Sequence, residues 1–77
     1  MYAINALKEA AKRQGIPTTH IGRKLGLSEN YVANIANRGS VPQCDTMARM
    51  LDVCGYGLYC LPLDDAPNDA IRITSEG

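Results

Sequence analysis

The chain has 77 residues and a mass of 8.3 kDa, with eight Lys and Arg balanced by eight Asp and Glu, a formal net charge of zero. That length makes one domain, 1–77, with a thin core: a chain this short buries roughly 60–65% of its unfolded surface, and a partner subunit would add to it. A free-standing enzyme with an enclosed pocket is not expected at this size. The longest uncharged run, Val53–Leu63, is eleven residues, against the ~18–20 of a membrane helix. Residues 1–14 interleave Lys8, Glu9, Lys12 and Arg13 with alanines, unlike a signal peptide. A soluble, cytoplasmic protein is the expectation.

Zero net charge conceals a dipole. Residues 1–39 carry Lys8, Lys12, Arg13, Arg23, Lys24 and Arg38 against Glu9 and Glu29; residues 40–77 carry Arg49 and Arg72 against six acids. A split of this kind suits one face built for a polyanion, with ordinary charge scatter as the alternative. The three cysteines, Cys44, Cys54 and Cys60, are odd in number, form no C-x-x-C pair, and lie far from the single His20. They read as reduced structural thiols rather than a disulfide scaffold or a zinc site, and neither metal nor cofactor is implied.

In chain order, residues 2–14 place Ile4, Leu7, Ala10 and Ala11 at helical spacing with Lys8, Glu9 and Lys12 turned away. Gly15 and Pro17 stop that helix. A second helix covers 18–25, capped at either Pro17 or Thr18 and closed by Gly26. A third covers 28–37, with the Ser28 hydroxyl at its start, Glu29 favourable to its dipole, and Arg38-Gly39-Ser40 at its end. A fourth covers 44–54, capped at Cys44 or Asp45, with Met47, Met50, Leu51 and Cys54 as its apolar stripe.

After Gly55 the texture changes. Tyr56–Leu63 is short and contains Gly57 and Pro62, which predicts a strand, apolar on both faces and therefore covered on both. Asp64–Asp69 reads as a turn, and Ala70–Thr74 as a second strand with one wet face. The expected fold is mainly α: four helices followed by a C-terminal β-hairpin over 56–74.

The informative stretch is TTHIGRKLGLSENYVANIAN, residues 18–37. Two short helices meeting at a glycine, with apolar residues at fixed offsets, form a helix-turn-helix pattern. Ile21 and Leu25 bury the first of the pair, Val32 and Ile35 the second. Leu27 plugs the corner, Gly26 takes the turn conformation, and Gly22 permits close approach. At 100° per residue Glu29, Asn30, Ala33, Asn34 and Asn37 fall within one ~140° arc, opposite Tyr31, Val32 and Ile35. Asn pairs bidentately with adenine, Glu accepts from cytosine N4, and Ala meets a thymine methyl, so Glu29, Asn30, Ala33 and Asn34 are candidates for base reading. A plain solvated face is the alternative, but asparagine is a poor helix former and three of them on such a face cost stability.

On these residues the chain resembles the lambda repressor and Cro-like (XRE-type) family of helix-turn-helix regulators over roughly residues 2–55. The stretch DTMARMLDVCGYGLYCLPL looks like the fourth helix and following strand of small prophage-type members. Gly22 stands where the family usually has alanine, and a hairpin replaces the family's further C-terminal helix. The resemblance implies a lambda-repressor-like DNA-binding domain in which Thr18 and Asn37 contact phosphates. Arg38 is their natural companion, and Thr19, Lys24 and Tyr31 are further phosphate candidates. The expected function is a sequence-specific regulator that binds double-stranded DNA as a homodimer, the hairpin being either the dimer contact or a cap on the monomer's own core. The alternative is a protein-interaction module, of antitoxin or phage-accessory type, on the same fold. No catalytic Ser/His/Asp or Cys/His pairing and no phosphate-cradling glycine loop is evident, so an enzyme is not expected.

Overall fold

A computed structural model describes residues 1–76. It contains four α-helices and a single 3₁₀ turn, with no β-strand among the described residues. Helix α1 is Ala3–Arg13, α2 Thr18–Lys24, α3 Tyr31–Arg38 and α4 Cys44–Val53. Among the described residues no helix is long and apolar enough to cross a membrane.

The helices end where the glycines are. Gly15, Gly26, Gly39 and Gly55 all have positive φ, and the residue after each returns its N–H five residues back, as Ile16 does to the Ala11 carbonyl at 2.9 Å. This is the Schellman closure, which satisfies carbonyls that a helix end leaves without partners. The starts follow a different rule. Tyr2, Pro17 and Gln43 are extended residues preceding α1, α2 and α4, and none makes a side-chain cap. Pro17, one of the two options for α2, is thus its first flanking residue. For α4 neither Cys44 nor Asp45 caps: both lie inside the helix, and the Asp45 carboxylate accepts from the Thr46 N–H at 2.9 Å.

The core is built at the meeting of all four helices. Leu7, Ile21, Val32, Met50 and Cys54 are essentially inaccessible, and Ala6, Ala10, Ala11, Ile35, Met47 and Leu51 complete the cluster. The three buried alanines among the four of α1 let it lie close to α4, while α2 packs chiefly on α3. No buried polar side chain interrupts this cluster, so its cohesion is that of apolar area removed from water, about 25 cal/mol per Å².

The expected hairpin is absent. Residues 56–62 have no regular secondary structure, a 3₁₀ turn follows at Leu63–Asp65, and the segment 66–74 makes no backbone hydrogen bond to 56–62. Its backbone partner is Met1 instead: the Met1 amino group donates to the Arg72 carbonyl at 3.1 Å, and the Thr74 N–H donates to the Met1 carbonyl at 2.9 Å. Arg13 pins the same segment, donating to the Asp69 carbonyl at 2.7 Å and pairing with Glu9 at 3.4 Å. The Tyr56 hydroxyl, accepting from the guanidinium, raises the Arg13 pKa above its ordinary value. Tyr56 and Ile71 pack on the core from this tail, but Gly57–Leu63 is exposed throughout, so the strand faces expected to be covered are not. An open groove of about 1030 Å³ is lined by both legs of the tail, Leu58 and Ile73 among them, and by Ala6, Gln14 and Leu51 of the helical body.

Candidate nucleic-acid interface

The candidate interface is set by how α2 meets α3. Gly22 is buried inside α2, and a Cβ built there would run into the Ser28 carbonyl oxygen, with the Ser28 carbonyl carbon at 3.0 Å and the Glu29 Cα at 3.3 Å. The approach is therefore backbone to backbone, and only glycine fits it. The Gly22 carbonyl also accepts the Leu27 N–H at 2.8 Å, which fastens the turn to the helix it leaves. With the corner filled by main chain, Leu27 does not plug it. Leu27 is 43% exposed, and Leu25 supplies the partly buried apolar contact instead.

The start of α3 also differs from expectation. The Ser28 hydroxyl accepts the Asn30 N–H at 3.1 Å, and the Ser28 carbonyl accepts the Tyr31 N–H at 3.0 Å, building one tight turn before the helix begins at Tyr31. Glu29 and Asn30 consequently sit on that turn rather than on the helix. Both are exposed, as are Ala33, Asn34, Asn37 and Arg38, whereas Val32 and Ile35 are buried on the opposite side. The side-chain amides of Asn30, Asn34 and Asn37 make no hydrogen bond to any described residue. A row of unengaged amides on one side of a short helix is what a hydrogen-bonding ligand can read.

The remaining candidates are brought together only in part. Tyr31 and Arg38 share an open depression of about 280 Å³ between α3 and the start of α4, with Ser40, Gln43 and Thr46 in its wall. Thr18 and Thr19 are half-buried at the head of α2, and Lys24 is exposed at its other end; neither end of α2 contributes to that depression. His20 is exposed.

Sequence reasoning missed Arg23 as a site residue. Its Nε lies 3.8 Å from the Glu29 carboxylate, both side chains 60% exposed, so one candidate base reader already has a cation beside it. The signal was available as opposite charges flanking the Gly26 turn, six residues apart. Exposed pairs of this kind contribute ~0–1 kcal/mol and exchange readily for another partner. With Arg13 held by Glu9 and Arg23 by Glu29, the basic side chains of the first half without an ion pair among the described residues are Lys8, Lys12, Lys24 and Arg38. Cys44 and Cys60 are exposed, and Cys54 is a buried thiol whose pKa is pushed up by burial.

The fold and this surface together define a small four-helix protein with one exposed, amide-bearing helix backed by a second. Compared with protein-family models, with curated proteins and with solved structures, the chain matches none of them.

Proposed function

We propose that the protein is a sequence-specific double-stranded DNA-binding regulator of the lambda repressor/Cro-like kind, acting as a homodimer with α3 in the major groove. The observation that carries this reading is the two-sided character of α3: Val32 and Ile35 buried, Ala33, Asn34, Asn37 and Arg38 exposed, with the asparagine amides unengaged. Eight residues give a helix about 12 Å long, which suits a groove about 12 Å wide. In this reading Asn34 and Ala33 read bases from the helix, while Glu29 and Asn30 reach them from the preceding turn. Thr18, Thr19, Lys24, Tyr31, Asn37 and Arg38 bind phosphates, which fix register without reading sequence. One such module makes few base contacts, so specific affinity calls for two half-sites about 34 Å apart and hence two copies.

Selection from a random duplex library, with binding repeated at two salt concentrations, tests this. A regulator of this kind enriches a near-palindrome with adenine-rich half-sites and loses affinity steeply with added salt through counterion release. No enriched sequence and no salt-sensitive binding would refute it. A second reading, a protein-interaction module on the same fold, is favoured by zero net charge and by the exposed apolar tail. Its complexes would be insensitive to salt.

A further inference from the structure

Glu29 is the one acidic side chain between Thr18 and Arg38, a stretch that also carries Arg23, Lys24 and Arg38. A bare carboxylate at that place is repelled by duplex phosphates, and it accepts hydrogen bonds but donates none. The Arg23 Nε lies 3.8 Å from it, with both side chains 60% exposed. The main chains that carry the pair are locked together. Gly22, next to Arg23, comes so close that a Cβ there would lie 3.3 Å from the Glu29 Cα, and its carbonyl accepts the Leu27 N–H at 2.8 Å. The Ser28 hydroxyl and carbonyl fix the turn on the other side of Glu29 through the Asn30 and Tyr31 N–H groups. An exposed ion pair ordinarily loses side-chain entropy in forming. Here the backbone separation is set before the side chains meet.

We propose, resting on the DNA-binding function, that Arg23 is the positioning residue that makes Glu29 a reader of cytosine, holding its carboxylate in place and offsetting its charge beside the phosphates. The base edges select the partner. Cytosine alone presents a major-groove donor with no acceptor beside it. Guanine and thymine present acceptors, and adenine sets its N7 acceptor next to its amino group. The arginine fork suits the task because it carries five N–H donors in one plane. Nε is the nitrogen paired with the carboxylate. The terminal nitrogens make no hydrogen bond to any described residue, which leaves them for a phosphate oxygen. One side chain thus joins the reading residue to the backbone of the duplex it reads.

Competition binding of the full chain to its selected duplex, varied one base at a time, tests the proposal with Arg23→Ala, Glu29→Gln, the double variant and Lys24→Ala. The parent should prefer cytosine at one position of each half-site by about tenfold. Glu29→Gln should exchange that preference for adenine, which a side-chain amide reads. Arg23→Ala should remove most of the cytosine preference and leave the preferences at other positions unchanged. Lys24→Ala removes an equal charge one residue away, and should weaken all duplexes alike. Because Arg23 acts through Glu29, the double variant should show the base preference of Glu29→Gln alone. Arg23, Lys24 and Glu29 are exposed, so every variant should keep the helical circular dichroism of the parent. A parent that selects a duplex without this cytosine, or an Arg23→Ala protein that weakens every duplex alike, overturns the proposal and leaves the DNA-binding function standing. A parent that selects no duplex overturns both, so the two failures are told apart by the parent's own selection.

Discussion

Gly22→Ala tests the backbone approach that sets the angle between α2 and α3. The added methyl has no room: its nearest neighbours are the Ser28 carbonyl oxygen and carbon and the Glu29 Cα, all main chain. Relief therefore requires the turn to move rather than a side chain to rotate. Overpacking of this kind costs about 1–3 kcal/mol, and the upper end applies where backbone must shift. Against this, alanine gains about 1 kcal/mol over glycine inside a helix. The net is a destabilisation of about 2 kcal/mol, which in a domain of this size lowers the melting temperature by roughly 8–16 °C. Thermal unfolding followed by far-UV circular dichroism reads it directly. Gly26→Ala is the informative companion, because nothing lies within 4 Å of its Cβ position and only its φ of +75° opposes the change. Its expected cost is about 1–2 kcal/mol, from left-handed backbone alone. A Gly22→Ala protein as stable as the parent, or more so, would refute the argument that α3 is placed by main-chain contact.

Other expectations concern the interface, the tail and the thiols. Asn34→Ala should weaken binding to a selected site by about 1–3 kcal/mol and relax preference at one base, in competition binding with single-base variants. Arg38→Ala should weaken all duplexes alike and reduce the salt slope by about one, in titrations across ionic strength. Arg13→Ala removes the donor to the Asp69 carbonyl, and limited proteolysis should then cut the tail between 66 and 74 faster while the helices persist. In the native protein Cys44 and Cys60 should react quickly with a thiol reagent and Cys54 only after unfolding. Because burial raises the Cys54 pKa above its ordinary 9.0, its contribution to stability is complete below that pH and falls away as pH climbs through the raised value. Denaturant melts of the parent and Cys54→Ala across alkaline pH should show the parent losing its excess stability there.

What could be read from the sequence divides by the range of the interaction. Helix ends were legible because Gly15, Gly26, Gly39 and Gly55 act locally, through their own φ and the next residue's N–H. The core of Leu7, Ile21, Val32, Ile35, Met47 and Met50 was legible for the same reason, as helical periodicity. The beginning of α3 was not: Ser28 has the chemistry of a cap, yet its hydroxyl and carbonyl build an extra turn that pushes Glu29 and Asn30 off the helix. Leu27 misled because a hydrophobe at a corner normally fills it, whereas here Gly22 lets main chain do so. Tyr56–Leu63 has the composition of a strand, but a strand also needs a neighbour, and composition does not name one. The neighbour of Thr74 is Met1, at the far end of the chain, and no local pattern announces that.

Because each helix carries its own closing signal, the three connections of the helical body and the exit from α4 are settled within a few residues of where they occur. Domains dominated by such short-range contacts fold in microseconds to milliseconds. The tail is held by bonds between residues 1 and 74 and between 13 and 69, whose loop-closure entropy is met only after the helices have assembled. Topology thus predicts an order of events in which the helical body forms first and the tail is the last segment to dock and the first to fray.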